Sequence, residues 1–117
     1  MEKLVALTAE MRRTAAGTYS IFNNADLSFP EIEDENGEKV RITHGRFVSL
    51  LESADRRVRK DDFEQFYSTY KQFLNTIASL YNGQVKQQIF SAKARKYNTT
   101  REAALDRTEV PEEVYDN

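Results

Sequence analysis

The chain has 117 residues with a formal net charge of −2, and seven Phe and six Tyr supply enough large apolar area to exclude a disordered chain. The near-neutral charge leaves no basic footprint for nucleic acid and no attraction to anionic lipid. The absence of cysteine removes thiol nucleophiles, disulfides and thiolate metal ligands together and fits a reducing compartment.

From Glu2 to about Arg13, Leu4, Val5, Leu7 and Met11 recur at helical spacing, and the N-terminus lacks the charged and apolar regions of a signal peptide. Thr14 is placed to cap a second short helix carrying Tyr19, Ile21 and Phe22, ending near Asn23-Asn24, with Gly17 weakening it. Short helices are thus expected over residues 1–26.

The period then changes. Leu27, Phe29 and Ile32 precede Asp34-Glu35-Asn36-Gly37, and Val40 and Ile42 follow. Asn-Gly between short alternating runs signals a hairpin with a type I′ turn, because both residues tolerate the positive φ it demands. A two-stranded β-hairpin is expected over residues 27–43, with Pro30 at a strand end and a charged tip that discourages edge pairing. Thr43 reads as the N-cap of a short helix over 44–52 that buries Phe47, Leu50 and Leu51.

The dominant pattern predicts one long central helix over 54–97. Phe63, Phe66, Tyr67, Tyr70, Phe73, Leu74, Ile77, Tyr81, Val85, Ile89 and Phe90 keep one helical phase through Asn82-Gly83. Such a helix is about 60 Å long, against roughly 35 Å for a compact globule of this size. Something outside the chain is expected to cover the overhang. Thr99 and Glu102 form a capping box for a short helix over 99–107. Pro111, Glu112 and Glu113 mark a further helix start over 111–117, too short to stand alone in water, which reads as a cut from a longer chain. The fold class is mainly α: a helical domain with one long central helix and a small two-stranded hairpin. No stretch approaches the roughly 18 apolar residues of a membrane span.

Few residues offer chemistry. His44 is the only histidine, no H-E-x-x-H is present, and its place between Thr43 and Gly45 suggests donation to local backbone. The acidic run Glu31, Glu33, Asp34, Glu35 and Glu38 departs from a calcium loop, with Lys39 where glycine and Gly45 where glutamate would be needed. Arg56, Arg57, Arg59 and Lys60 form one basic cluster, and Lys93, Arg95 and Lys96 another. Glu52, Asp55, Asp61, Asp62 and Glu64 surround the first, so a solvated face is expected rather than an RNA or phosphate site. The aromatic stripe is either core or the lining of a peptide groove. Tyr67, Tyr70 and Tyr81 are the candidate substrate-binding residues. No catalytic or metal-binding residue is identified.

Taken together, Asn23-Asn24-Ala25-Asp26-Leu27, Phe29-Pro30, Thr43-His44-Gly45-Arg46-Phe47, Leu50-Leu51-Glu52-Ser53 and Asp55-Arg56-Arg57-Val58-Arg59-Lys60 resemble the N-terminal part of oligoendopeptidase F, a family of thimet-type zinc metallopeptidases. Tyr67-Ser68-Thr69-Tyr70-Lys71, Asn75-Thr76, Ala92-Lys93-Ala94-Arg95-Lys96-Tyr97 and Val114-Tyr115-Asp116-Asn117 extend the resemblance over nearly the whole chain. Two departures are small: Glu109 precedes Val110-Pro111 where the family often has Asn, and Gly17-Thr18 is irregular.

The resemblance implies a cytoplasmic enzyme that cleaves short peptides in a channel between two helical lobes. Its zinc would be held by an H-E-x-x-H motif and a downstream Glu, none of which has a counterpart here. This chain would then be a non-catalytic segment of the N-terminal lobe, inactive and without zinc by itself, forming a channel wall and partnering the remaining catalytic lobe. In isolation it is expected to self-associate. The alternative is a free-standing helical protein-interaction module with no enzymatic activity; a nucleic-acid binder is a distant third.

Overall fold

A computed structural model describes residues 1–117 and shows a mainly α chain with one antiparallel two-stranded hairpin, the fold class the periodicity predicts. The chain divides into two compact units, a central one over Phe22–Ile77 and a terminal one built from Met1–Ile21 and Ala78–Asn117.

In the central unit, a single π turn, Phe22–Asp26, leads to β1 (Glu31–Glu33) and β2 (Lys39–Arg41). Ile32 pairs with Val40, and the flanking pairs are Glu31 with Arg41 and Glu33 with Lys39. Alternation turns Ile32 inward and the two glutamates outward. The carbonyl of Pro30 accepts from the Ile42 amide at 3.1 Å, and the proline, with no N–H to return the bond, ends the ladder there.

The strands are shorter than the span of 27–43, and the turn is not type I′. Gly37 is left-handed at φ 80° while Asn36 is not, and the Gly37 amide bonds the Asp34 carbonyl at 3.2 Å. This is a type I turn followed by a left-handed glycine. Asp34 decides the difference: its Oδ1 accepts the amides of Asn36 at 2.8 Å and Glu38 at 2.9 Å, which organises the tip from its first residue.

Thr43 caps α4 (His44–Leu51), accepting from the Arg46 amide at 3.1 Å. Asp55 caps α5 (Arg56–Lys71) through the Arg57 amide at 2.8 Å. The hairpin and both helices close on Phe29, Ile32, Ile42, Val58 and Phe66, with Leu27, Val40, Phe47, Leu50 and Tyr70 around them. Phe66 is stacked between Phe29, with centroids 4.7 Å apart, and Phe47, at 3.9 Å.

The single helix expected over 54–97 is two helices, α5 and α6 (Leu74–Ala94). The interruption falls at Gln72-Phe73 rather than at Asn82-Gly83. There the backbone tightens to i−3 bonding, the Phe73 amide reaching Tyr70 O at 2.9 Å. Tertiary anchors flank the tightened turn: Phe73 packs edge-on against Phe22 at 5.0 Å, and Tyr70 is hydrogen-bonded to Asn23. Neither glycine nor proline lies there, so local sequence did not mark it.

In the terminal unit, α1 (Glu2–Leu7), α2 (Ala9–Arg12) and α3 (Thr14–Ile21) replace the two helices expected over 1–26. Of the apolar residues that suggested the first, only Val5 is buried; Leu4, Leu7 and Met11 are 65%, 77% and 75% exposed. Arg12 holds the segment, with Nη1 donating to Ser91 Oγ at 2.9 Å and Nη2 to Val5 O at 3.2 Å. Residues 78–94 of α6 pass through Gly83 without a break, where the glycine faces Ala15.

The end of α6 closes in a Schellman motif: the Tyr97 amide bonds Ala92 O, the Lys96 amide bonds Lys93 O, and Lys96 itself is left-handed at φ 64°. Thr99 then caps α7 (Thr100–Leu105), accepting from the Glu102 amide, while the Glu102 carboxylate takes the amide of Asn98. A 3₁₀ turn, Asp106–Thr108, carries the chain to α8 (Glu112–Asp116). Arg101 of α7 holds that five-residue helix, bonding Glu112 at 3.0 Å and Asp116 at 2.8 Å.

Candidate functional site

His44, at the first position of α4, has Nε2 3.1 Å from the carbonyl of Asn23. The rings of Phe29 and Phe66 meet its imidazole edge-on at 5.1 and 5.9 Å. With the proton on Nε2 it donates to that carbonyl and pins the π turn to the start of α4, which is a structural task. No group of three or more His, Cys, Asp or Glu is placed to hold a metal ion. A zinc ion does not fit the residues of this chain, since one imidazole already committed to backbone cannot replace three or four convergent ligands. Asp34, the centre of the acidic run, spends its Oδ1 on the turn amides described above.

The first basic cluster is structural mortar. Arg57 donates to the carbonyls of Glu33 at 3.0 Å and Asp34 at 2.7 Å, and it lies within ion-pair distance of Asp55 and Asp61. Arg59 Nη1 donates to the carbonyls of Ser53 at 2.6 Å and Ala54 at 2.9 Å, satisfying orphan acceptors where α4 runs into α5. Arg56, Arg59, Lys60 and Phe63 border a shallow depression of about 440 Å³. The second cluster lies at the C-terminal end of α6, where cations favour the helix dipole.

One acid of the surrounding set departs from the expected solvated face. Asp62 is fully buried, with neither carboxylate oxygen hydrogen-bonded. Burial in apolar surroundings pushes its pKa from 3.8 up to about 6. A signal was present in the sequence, because Val58, Asp62, Phe66 and Thr69 fall one turn apart on a single line of α5.

Two of the three candidate tyrosines share the central unit. Tyr67 is 50% exposed and leans on Phe63 at 4.7 Å, Phe66 at 5.3 Å and Phe47 at 6.0 Å. Tyr70 is half-buried, and its hydroxyl donates to Asn23 Oδ1 at 2.6 Å. Tyr81 belongs to the terminal unit and is 71% exposed. The stripe from 63 to 90 is therefore not core within this chain: Phe66 is its buried member, while Phe63, Leu74, Ile89 and Phe90 are exposed. Periodicity reports that a helix has an apolar face but not that the same chain covers it.

The terminal unit has a polar depression of about 490 Å³ along α6 and α7, bordered by Gln84, Gln87, Gln88, Ser91, Arg101 and Tyr115. No side chain there forms a nucleophile–base pair. The two units thus present shallow depressions and exposed apolar side chains as their open surfaces.

Comparison with known proteins gives these surfaces a context. The sequence profile described as "Peptidase family M3" matches residues 49–117. Oligopeptidase PepF of Bacillus subtilis is 47% identical over 116 residues, which cover 99% of this chain and 17% of that protein. Group B oligopeptidase PepB of Streptococcus agalactiae is 44% identical over 98% of this chain and 19% of its own length. The crystal structure of oligoendopeptidase-F from Enterococcus faecium superposes with a TM-score of 0.94 at 48% identity, over 98% of this chain and 22% of that one. The chain thus spans about a fifth of the length of the proteins it matches.

Proposed function

Because this chain belongs to peptidase family M3 and matches the N-terminal part of oligoendopeptidase F-like members, we propose that it is a non-catalytic segment of the N-terminal lobe of a zinc metalloendopeptidase that hydrolyses short peptides. Its part in the work is to form a wall of the substrate channel and so to limit what enters. The zinc and the residues that activate water belong to the remaining lobe, its partner in the whole protein.

The observation that carries this reading is apolar surface left open by a chain that otherwise folds well. Val48, Phe63 and Tyr67 of the central unit are 59%, 53% and 50% exposed. In the terminal unit Leu4, Leu7 and Met11 are exposed to a similar or greater degree. Large apolar side chains in such numbers mark surfaces that another part of a protein covers. No helix is long and apolar enough to cross a membrane.

Antiserum against this chain, used on an extract of the source cells, tests the reading. A band several times heavier than 13.6 kDa is expected. The protein precipitated with it should cleave a quenched fluorescent peptide and lose that activity with a zinc chelator. A single band at the mass of the chain would overturn the assignment in favour of a free-standing interaction module. A heavy protein without chelator-sensitive peptidase activity would overturn the catalytic half of it.

A further inference from the structure

Four residues of α5 are buried, Val58, Asp62, Phe66 and Thr69, each about one turn from the next. Val58 and Phe66 belong to the apolar cluster of the central unit, and the Thr69 hydroxyl is satisfied by the Gln65 carbonyl at 2.8 Å. Asp62, between them, is 0% exposed with both oxygens unpaired.

The elements packed against α5 offer it nothing. On β1, Glu31 faces Arg41 at 3.3 Å and Glu33 is exposed. On α4, His44 Nε2 meets the Asn23 carbonyl, and Arg46 Nη1 donates to Arg41 O at 3.3 Å. On α5 itself Arg59 is bonded to the carbonyls of Ser53 and Ala54, Asp61 to Arg57, and Lys60 to Glu64. Each of these cations has another partner, and no hydrogen bond reaches either oxygen of Asp62. The carboxyl can therefore be accommodated only by holding a proton or by loosening the helix enough to admit water.

We infer that the central unit carries a proton-dependent core: with Asp62 neutral α5 is held closed on the hairpin and α4, and with Asp62 ionised the same interface opens far more readily. The sense of the dependence follows from the two proton affinities. In the unfolded chain the carboxyl titrates near 3.8, and in the folded unit burial raises it to about 6. The folded state thus binds the proton more tightly. The stabilising contribution of the proton is complete below about pH 4, is lost as pH rises toward about 6, and is absent at neutral pH. A difference of about two pH units corresponds to roughly a hundredfold change in the opening equilibrium. The effect would let α5, and with it the exposed Phe63 and Tyr67, yield at neutral pH to whatever covers them. It holds whether or not the whole protein is a peptidase.

Urea unfolding of the full chain and of its Asp62→Asn and Asp62→Ala variants, followed from pH 4 to 7.5, tests this. Other carboxylates contribute equally to all three, so the difference curves isolate Asp62. The advantage of Asp62→Asn over the parent chain should grow by roughly a hundredfold in the unfolding equilibrium between pH 4 and 7, and Asp62→Ala should show the same slope. A gap independent of pH would overturn the inference. Carbon-detected NMR titration of the aspartate carboxyls gives a readout free of unfolding. One carboxyl should titrate near pH 6 and vanish in Asp62→Asn. All carboxyls titrating in the ordinary range near 4 would overturn it as well.

Discussion

The hydroxyl of Tyr70 donates to Oδ1 of Asn23 over 2.6 Å, joining two residues 47 positions apart in the chain. The bond fastens the last full turn of α5 to the π turn, whose Asn23 carbonyl also meets His44. One asparagine thereby connects three elements of the central unit.

Tyr70→Phe keeps the ring and its contact with Phe29 and deletes that bond. A loss of about 1 kcal/mol in stability is expected, typical of one part-buried hydrogen bond. Urea unfolding measures it; an unchanged midpoint would mean that the bond adds nothing to stability in solution.

Three glycines should respond with opposite signs. Gly17 has open space around it, and a Cβ at Gly83 would meet Ala15 Cβ at an ordinary 3.5 Å. Both lie inside helices, so Gly17→Ala and Gly83→Ala should each stabilise the chain by up to about 1 kcal/mol. Gly37 is held at φ 80°, and Gly37→Ala should destabilise by about 1 kcal/mol through backbone strain although nothing crowds it. Thermal unfolding of the three variants separates conformational strain from packing; a uniform sign would count against this account.

Two helix ends place residues with a Cβ where glycine or asparagine is favoured. Lys96 at φ 64° and Glu109 at φ 55° each follow a helical segment and donate to the carbonyl three residues back. Lys96→Gly and Glu109→Asn should raise stability, each by a few tenths to about 1 kcal/mol. Asparagine tolerates the left-handed region better than glutamate does. Failure of both changes to raise the melting temperature would show that the left-handed geometry is not retained.

The isolated chain should self-associate through its uncovered apolar side chains. Sedimentation over a hundredfold concentration range should show a mass that rises with concentration. The double change Phe63→Ser with Tyr67→Ser should lower that tendency, because both side chains are about half exposed. Strict monomer behaviour of the parent chain across the range would contradict the proposal that these surfaces are normally covered.

Much of the local structure was legible because its causes are local. Thr43 and Thr99 cap helices because a hydroxyl accepts an amide three residues on. The hairpin lies where the apolar period changes from helical to alternating. The turn type departs from the one the Asn-Gly pair suggests because Asp34 organises the tip. The apparent continuity of residues 54–97 hid the tightened turn at Gln72-Phe73, because its anchors, Asn23 and Phe22, come from elsewhere in the chain.

The identity of the chain was already in its sequence, since a family resemblance is carried by an ordered set of residues and does not need their positions in space. So was the helical class. Which apolar residues are covered was decided only by tertiary packing. Asp62 has the same local signature as Asp61, yet Asp61 meets Arg57 at the surface while Asp62 is sealed among Val58 and Phe66. A rotation of about 100° between neighbouring residues of a helix separates a solvated ion pair from a buried carboxyl. Only the placement of the hairpin and α4 against α5 determines which face becomes which.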